Sequence, residues 1–387
     1  MMISGKFIIC FLWIFWMMII NNPVQGSPPS ERIDDNINKL VQQLEKLKAI
    51  KLRDTGELEE YNPTYGTTFD RIIKRGYIIC GTNDEFPGFS EETYDGENLA
   101  WKGFDVDICR AVAAAVFGDS DAVEYEIING VTRFTTLKDG TIDMLSAATT
   151  YTFTRNVLKN FEFLPTTYYD GQGFITKRTL GVSSAKQMHG AKICFKGSGT
   201  AAKNIADFME LHEIKYIPIA VSVNEKTKDV YLRGDCDMYG TDRSGLASNR
   251  LGFDNPELHI ILPEIISKEP LGPVVKYGDQ KWSDIVRWTV YVLFIAEEMG
   301  INSKNIDTFK NHINPNIQRF MGEKNGADHP NLGTKMGLTA TWSYDIIKQV
   351  GNYKEIFDRN IKKKLGLERG LNRLYSHGGL LYAPPLK

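Results

Sequence analysis

The stretch Leu137-Lys-Asp-Gly-Thr-Ile-Asp-Met144 recurs in the second half of the chain as Tyr231-Leu-Arg-Gly-Asp-Cys-Asp-Met238. Each copy has the pattern of a helix end, a glycine that stops the helix, and an Asp-Met pair that opens a strand. Junctions of this kind are common, so coincidence is one explanation. The other is a pair of similar lobes that face one cleft.

Strand and helix patterns alternate on both sides of each copy. An alternation of this kind predicts an α/β fold with mostly parallel strands. The predicted strands are Tyr77–Cys80, Val123–Ile128, Ile142–Ser146, Ala191–Phe195, Tyr216–Ala220 and Asp237–Tyr239. The predicted helices are Phe104–Phe117, Val131–Lys138, Ala201–Leu211, Lys226–Leu232, Trp282–Met299, Ile306–Phe320 with a break near Pro315, and Trp342–Asn360.

Composition limits the classes of protein to consider. The chain has 387 residues, of which 42% are hydrophobic and 24% charged, as expected for two or three globular domains. A formal net charge of −2 argues against a nucleic-acid partner, because that affinity comes mostly from neutralising phosphates.

The start of the chain has the pattern of an export signal. Lys6 precedes the apolar run Phe7–Ile20, and small residues follow at Gly26 and Ser27, so residues 1–26 are predicted to be a cleaved signal peptide. An uncleaved membrane anchor is the alternative, but the run is short for a bilayer. Residues 27–65 then predict a helical extension with a short heptad stripe, which favours a helix lying on its own domain over a coiled coil.

Cysteine usage agrees with export. Cleavage would remove Cys10 and leave four cysteines, which suggest two disulfides outside the cytosol, with four buried free thiols as the alternative. The sequence allows three pairings, and the predicted elements favour Cys80 with Cys109 and Cys194 with Cys236, because these partners lie on neighbouring elements.

Catalytic and metal-binding signatures are weak. The six histidines are scattered and none lies in an H-E-x-x-H pattern, and the chain has neither a P-loop nor a G-x-S-x-G motif. Gly197-Ser-Gly-Thr200 resembles a dinucleotide fingerprint only faintly, since the third glycine and the acidic partner are missing. We therefore expect no enzyme activity, no cofactor and no metal.

One constellation of residues does indicate a binding site. Thr149, Thr150 and Arg155 follow the strand of the first copy, and Asp242 follows the strand of the second. Thr200 lies where a helix begins, and the free N–H groups of a helix start can hold an anion. An Arg with hydroxyls and N–H groups suits a carboxylate, and an Asp suits an ammonium, so together they would recognise an α-amino acid. Taken singly, each has an ordinary alternative: a solvated Arg155, and helix caps at Asp242 and Thr200.

Several longer blocks of the sequence resemble the periplasmic solute-binding proteins of polar amino-acid ABC transporters, and most closely the general L-amino-acid-binding subgroup. The resemblance covers about residues 69–387. The blocks that carry it are Gly81–Phe89, Gly103–Val112, Thr149–Arg155, Tyr168–Phe174, Thr241–Ser248, Ile261–Pro273 and Gly379–Pro385.

The resemblance implies roles for individual residues. Arg155 would bind the ligand carboxylate, as would Thr200 and Ala201 at a helix start. Asp242 would pair with the ligand ammonium. The backbone carbonyl of Ala148 would also accept a hydrogen bond from that ammonium. The remaining predicted ligand-binding residues are Thr150 and Thr149 beside the carboxylate, Phe86 stacked on the ligand side chain, and Asn83. Asn83 stands where many relatives have an acidic residue, which disfavours a cationic ligand side chain.

The resemblance also implies an architecture and a setting. We expect a type II periplasmic-binding-protein fold, with lobe one at residues 66–173 plus 274–387, lobe two at 174–273, and a two-strand hinge near Gly171–Thr176 and Gly272–Lys276. The chain would be an exported monomer, periplasmic if bacterial and otherwise secreted. It would deliver free L-amino acids to an ABC transporter permease. A secreted amino-acid-binding protein without a transporter, or a dehydratase-type enzyme on the same fold, are the alternatives.

Overall fold

Two five-stranded sheets dominate the structure, and the repeated motif supplies the central strand of each. The computed structural model describes residues 67–96, 98–222, 225–323 and 331–387. The predicted signal peptide at 1–26 and the predicted extension at 27–65 lie outside the described residues.

The strands are short, and the last of those described ends at Lys276. They are β1 Ile78–Thr82, β2 Glu85–Phe86, β3 Ser90–Asp95, β4 Asn98–Lys102, β5 Val123–Ile127, β6 Met144–Leu145, β7 Phe161–Phe163, β8 Tyr168–Asp170, β9 Gln172–Lys177, β10 Lys192–Lys196, β11 Ile217–Val221, β12 Met238–Asp242, β13 His259–Ile261, β14 Glu269–Leu271 and β15 Val274–Lys276.

The helices fall between these strands and in the last third of the chain. They are α1 Thr67–Arg75, α2 Phe104–Phe117, α3 Arg133–Asp139, α4 Ala201–Leu211, α5 Thr227–Leu232, α6 Arg243–Leu251, α7 Gln280–Glu298, α8 Pro315–Phe320, α9 Leu332–Lys335, α10 Trp342–Val350, α11 Tyr353–Phe357 and α12 Lys363–Leu365. Turns of 3₁₀ or π type lie at Thr154–Leu158, Arg178–Leu180, Ala185–Gln187, Pro256–Leu258, Ile306–Phe309, Asp358–Lys362, Gly370–Asn372 and Tyr375–His377.

The two sheets have the same strand arrangement. The first runs β5-β1-β6-β15-β7 and the second β11-β10-β12-β9-β13. In each sheet the first three strands are parallel and the fourth runs against its neighbours on both sides. The predicted α/β fold is therefore confirmed, and the predicted parallel strands hold for these two sheets, whereas β8–β14 and β2-β3-β4 are antiparallel. We call the part built on the first sheet lobe one and the part built on the second lobe two.

The repeated motif forms the same local structure in both lobes. Gly140 and Gly234 end their helices with φ of 83° and 86°, a left-handed conformation that suits glycine. The Asp143 carboxylate accepts a hydrogen bond from the Ile79 N–H at 2.8 Å, and the Asp237 carboxylate accepts one from Lys192 N–H at 2.8 Å. Each aspartate thus fixes the strand that follows it to the parallel neighbour of that strand, which is β1 in the first sheet and β10 in the second.

The chain crosses between the lobes through a separate two-stranded ladder. β8 pairs with β14 antiparallel, with Asp170 opposite Glu269. The predicted hinge segments lie just after these strands: Gly171–Thr176 falls mostly in the second sheet, and Gly272–Lys276 in the first. In each lobe, therefore, the fourth strand of the sheet is formed by the segment that directly follows a ladder strand. These strands are β9 after β8 and β15 after β14.

The two disulfides have the pairing that the predicted elements favour. Cys80 on β1 bonds Cys109 on α2, with Cα atoms 6.3 Å apart. Cys194 on β10 bonds Cys236 just before β12, with Cα atoms 5.8 Å apart. Each disulfide therefore joins elements within one lobe.

The last third of the chain contributes a large part of the core of lobe one and packs against α2. Helix α7 buries Trp282, whose indole N–H donates to the Asp143 carbonyl at 2.8 Å. Leu381 and Leu386 of the C-terminal tail are also buried. The break that was predicted near Pro315 occurs, since Pro315 is the first residue of α8.

The prediction of a single helix at Trp342–Asn360 is wrong, because two helices, Trp342–Val350 and Tyr353–Phe357, lie in this segment. Gly351 interrupts it with φ of 88°. Asn352 then starts a new helix, because its side chain accepts from the Glu355 N–H while the Glu355 carboxylate accepts from the Asn352 N–H. The capping box outweighs the continuous helical pattern.

Candidate functional site

A cavity of about 470 Å³ lies between the two lobes. Eight of the nine predicted ligand-binding residues line it: Asn83, Phe86, Ala148, Thr150, Arg155, Thr200, Ala201 and Asp242. The ninth, Thr149, is fully buried behind the cavity wall. Arg155 lies between β6 and β7 of lobe one and Asp242 ends the central strand of lobe two, so the two lobes supply opposite charges to the cavity.

The lobe-one wall is a loop that leaves β6 in a constrained conformation. Ala148 has φ of 44°, a left-handed conformation that non-glycine residues rarely adopt. Asp105 on α2 holds this loop, since its carboxylate accepts from the Ala148 N–H at 2.8 Å and from the Ser146 hydroxyl at 3.1 Å. Burial raises the pKa of Asp105 to about 6, against which these hydrogen bonds act.

Arg155 is held at the cavity by its own loop. Its Nη1 donates to the Thr150 carbonyl at 2.7 Å, and its guanidinium carbon lies 5.4 Å from the centre of the Phe134 ring. Burial lowers the pKa of Arg155, while Glu269 and Asp242 act in the opposite direction. The guanidinium makes no ion pair with any of the described residues and keeps most of its N–H groups for a ligand.

A second arginine, Arg133, also lines the cavity, and the sequence reasoning missed it. Its Nη1 donates to the Ala147 carbonyl and to the Thr149 hydroxyl, both at 3.1 Å. Burial lowers the pKa of Arg133 to about 10, and the like charge of Arg155 adds to that effect. The only signal in the sequence was its position at the start of a helix after a strand, which many surface arginines share.

On the lobe-two wall, neither predicted cap residue acts as a cap. Asp242 precedes α6 and Thr200 precedes α4, but neither side chain accepts a hydrogen bond from its helix. The first turn of α6 is instead bonded by Asp170, which accepts from the Ser244 N–H at 3.2 Å. The capping explanation requires the Asp242 carboxylate to accept a hydrogen bond from its own helix. It accepts none, so the capping explanation does not hold.

The ladder between the lobes carries two carboxylates that face lobe two, of which Glu269 is buried and Asp170 is half-buried. Glu269 accepts from Asn204 of α4 at 2.6 Å, from Ser267 at 2.8 Å and from the Thr200 hydroxyl at 3.3 Å. Its partner across the ladder, Asp170, accepts from the N–H groups of Gly171 and Ser244. Both residues lie inside sequence blocks that carry the resemblance, yet only the fold shows that they anchor the helix starts around the cavity.

The carboxylates dominate the electrostatics of the lobe-two side. Burial raises the pKa of Asp242 well above its usual range, and the negative charges of Asp170 and Glu269 raise it further, against Arg155 and Arg133. Burial likewise raises the pKa of Asp170 to about 6. Three acidic groups around one cleft favour the arrival of a cation, and an amino acid ammonium is one.

Among the described residues, no group of three or more His, Cys, Asp or Glu is arranged to hold a metal ion. None of their helices has both the length and the hydropathy that crossing a bilayer requires.

Two known proteins that are similar to this chain in sequence are named for the amino acids that they bind. The general L-amino acid-binding periplasmic protein AapJ of Rhizobium johnstonii is 47% identical over 323 residues, which are 83% of this chain and 93% of that protein. The glutamate/glutamine/aspartate/asparagine-binding protein BztA of Rhodobacter capsulatus is 43% identical over 83% of this chain and 94% of its own length.

A solved structure and a family model agree with these relatives. The periplasmic binding protein of an ABC transporter from Brucella ovis, solved with glutathione bound, is 42% identical, with a TM-score of 0.79 over 83% of this chain and 99% of that one. The model of the bacterial extracellular solute-binding proteins, family 3, matches residues 78–325. This chain therefore belongs to the bacterial extracellular solute-binding proteins of family 3.

Proposed function

We propose that the protein binds a free L-amino acid in the cavity between its lobes and delivers it to the permease of an ABC transporter. The observation that carries this proposal is that Arg155 from lobe one and Asp242 from lobe two line one cavity. A guanidinium and a carboxylate on opposite walls complement the two charged ends of an α-amino acid.

The ligand contacts follow from the positions of the residues. Arg155 and the first N–H groups of α4, at Thr200 and Ala201, bind the carboxylate. Asp242 and the Ala148 carbonyl accept from the ammonium. Phe86 and Asn83 lie against the ligand side chain, and Thr150 contributes its hydroxyl. Thr149 acts indirectly, through its hydrogen bond with Arg133.

Ligand binding brings the two lobes together around the cavity. We take residues 66–173 plus 274–387 as lobe one and 174–273 as lobe two, joined by the β8–β14 ladder as the hinge. A ligand shifts an equilibrium between open and closed forms only by its preference for one of them, and contacts with both lobes supply that preference. A micromolar dissociation constant corresponds to about 8 kcal/mol, which charge-assisted hydrogen bonds and an enclosed cavity supply.

The names of the relatives support the setting of this function. AapJ is a periplasmic amino-acid-binding protein by name, and the Brucella ovis protein belongs to an ABC transporter. We infer that this chain is exported with a cleaved leader at residues 1–26, that it works as a monomer, and that it has no catalytic activity and no cofactor. The closed, loaded form is then what the permease recognises.

The test is a thermal-shift screen of the twenty amino acids against the chain from Ser27 onward, followed by calorimetry. A ligand at 100 times its dissociation constant stabilises the protein by about 2.7 kcal/mol, which is a clear shift. Absence of any shift at millimolar concentrations would contradict the proposal. Uptake of the labelled ligand, lost in a deletion strain and restored by the gene, tests delivery to a transporter and separates this function from a secreted binder without one.

A small peptide with a free amino acid end is a second candidate ligand. A larger cavity of about 1070 Å³ lies next to the first and shares Arg155, Gly130, Gly199 and Thr200 with it. The Brucella ovis structure contains glutathione, whose γ-glutamyl end carries both an α-ammonium and an α-carboxylate. Glutathione in the same screen distinguishes the candidates: a tighter constant than that of every free amino acid favours the peptide.

A further inference from the structure

The turn that carries Arg155 also carries a group of exposed apolar side chains. Arg155 lies in the π-type turn Thr154–Leu158, which Phe153 directly precedes. Phe153 and Leu158 are 70% and 67% exposed, and Val157 between them is exposed as well, whereas Arg155 lines the cavity between the lobes. One short turn therefore faces the proposed ligand site on one side and solvent on the other.

These apolar side chains form the rim of the second cavity, the one of about 1070 Å³. Leu158 lines that cavity together with Val131, which is also exposed. Exposed apolar side chains that cluster, with polar residues around them, mark sites of contact with another protein. Packing in lobe one does not account for the cluster, because its members turn away from the core.

The opposite wall of the second cavity is an exposed face of α4 in lobe two. Lys203 and Asp207 line the cavity and are four residues apart, and Leu211 follows after four more, so the three side chains lie on one face of the helix. Leu211 is exposed. The surface around the second cavity therefore has one half on each lobe, and the distance between the halves depends on how far the lobes are closed.

This two-lobe surface is basic. Lys138, Lys159 and Lys203 line the second cavity, and Asp207 is the one acidic residue among the described residues that line it. None of the three lysines forms an ion pair with a carboxylate of the described residues. Lys276 extends the basic side, since it lines a neighbouring pocket together with Lys138 and Lys159 and with no described acidic residue. A partner that carries carboxylates complements this charge.

We propose that this two-lobe surface docks on the permease, and that the contacting part of the permease combines carboxylates with an apolar recess for Phe153 and Leu158. The inference rests on the proposed function, because it needs a permease and a ligand bound at Arg155. A ligand at Arg155 holds the turn, and closure brings α4 beside it, so the loaded form presents both halves together. A partner that contacts both halves thereby distinguishes the loaded protein from the empty one.

The test measures uptake and ligand binding separately. Phe153→Ser with Leu158→Ser is expressed in a strain that lacks the gene, and uptake of a radiolabelled mixture of the twenty L-amino acids is compared with calorimetry on the same protein. We expect the uptake that depends on the gene to fall to about a tenth or less, as for the loss of central interface side chains. Amino acid affinity should change by less than about threefold, because both side chains lie on the surface.

The matched control is Tyr94→Ser with Leu99→Ser. These two residues pair across β3 and β4 of lobe one, are 69% and 53% exposed, and line neither cavity. The control pair should keep full uptake.

A second variant tests the charge on the other lobe. Lys203→Glu should also lower the uptake that depends on the gene, by about tenfold, with affinity again within about threefold. Lys186→Glu is its control, since Lys186 is an exposed lysine of lobe two that lines neither cavity. If the double serine variant does not fold, the Lys203→Glu comparison decides.

Full uptake by a variant that still binds amino acids would remove the docking surface and leave the proposed function standing. Losses of affinity that match the losses of uptake would also overturn the inference, because the turn would then act on the ligand alone. Adsorption of the unaltered protein to phosphatidylglycerol vesicles, abolished by the two serines, would assign the surface to the membrane and likewise reject a permease contact. If the unaltered gene does not restore uptake, the proposed delivery falls and this inference with it.

Discussion

The carboxylate of Asp105 accepts a hydrogen bond from the backbone N–H of Ala148 at 2.8 Å, and it thereby fixes the left-handed residue of the cavity loop. Asp105 is 4% exposed, and its burial raises the pKa to about 6 from 3.8. A helix in the lobe-one core is thus connected to the wall of the binding cavity through an acid that resists ionisation.

This relationship predicts a pH dependence of stability. The folded-state pKa of Asp105 lies above the unfolded value, so its contribution to stability is fully present below pH 3.8 and is lost as the pH rises through about 6. Asp105→Asn removes that ionisation, and its amide can still accept from Ala148. The unfolding free energy of the variant relative to wild type should therefore rise between pH 4 and 7, by up to about 3 kcal/mol.

Urea denaturation of both proteins at pH 4.5, 5.5, 6.5 and 7.5 measures this difference. The comparison matters because other buried acids titrate in the same range, and the difference between the two proteins isolates Asp105. Parallel curves for the two proteins would contradict the assigned cause.

Asp242 should distinguish ligands by their amine. Asp242→Asn removes the charge that pairs with the ammonium, so amino acid affinity should fall by about 10- to 100-fold, as expected for a charge-assisted hydrogen bond. The matching 2-hydroxy acid, which has no ammonium, should lose much less. Calorimetry with each pair of ligands measures the two losses.

The control for this prediction is Asp207→Asn. Asp207 is another acid of lobe two, on α4, but it lines only the second cavity. The Asp207→Asn variant should change the affinities for the amino acid and for the hydroxy acid by less than about twofold. Equal losses for the amino acid and the hydroxy acid in Asp242→Asn would refute the ammonium role.

Closure should depend on Gly130. This residue of lobe one faces Ser198 of lobe two, and a Cβ atom on Gly130 would lie 2.5 Å from the Ser198 Oγ. Gly130→Ala should therefore oppose the close approach of the lobes and weaken ligand binding by about 1–3 kcal/mol, the usual range for overpacking. Ser198→Gly in the same chain removes the obstructing oxygen and should restore affinity.

Small-angle scattering with saturating ligand provides the structural readout, because the variant should keep a larger radius of gyration. Gly252→Ala is the control, since its Cβ would meet nothing closer than 3.7 Å. If Gly130→Ala binds and closes as wild type does, the contact has no part in closure.

The disulfide of lobe two should stabilise the fold measurably. Cys194 and Cys236 are 42 residues apart, and closing a loop of that length in the unfolded chain is worth about 3–4 kcal/mol in the chain-entropy account. The double variant Cys194→Ala with Cys236→Ala should lose that much unfolding free energy in urea, and it should not respond to reductant at this site. An unchanged denaturation midpoint would show that the disulfide contributes little.

Local signals in the sequence predicted the frame of the fold well. Helix Phe104–Phe117 has the predicted bounds because an Ala- and Val-rich stretch ends at Gly118, which adopts φ of 69°. The Asp143 and Asp237 junctions were predictable for a similar reason: helix, glycine and strand all lie within eight residues. Arg155 and Asp242 could be placed at one cleft because Arg155 follows the central strand of its sheet and Asp242 ends the central strand of the other.

Features that depend on distant parts of the chain were less predictable. Arg133 reaches the cavity only because α3 packs beside β6, and its hydrogen bonds join it to residues more than ten positions away. Asp170 and Glu269 face each other across a ladder that joins segments 99 residues apart in sequence. The break at Gly351 was local, but the helical pattern on both sides concealed it.

The most direct test of the central claim is the affinity of Arg155→Gln for the strongest ligand of the amino acid screen. Lys159→Gln is the matched control, because the Lys159 Nζ lies 5.5 Å from the centre of the same Phe134 ring but Lys159 does not line the cavity between the lobes. Calorimetry should show a loss of about 2–3 kcal/mol for Arg155→Gln and almost none for Lys159→Gln. Near wild-type affinity in a correctly folded Arg155→Gln would contradict the amino acid site described for this cavity.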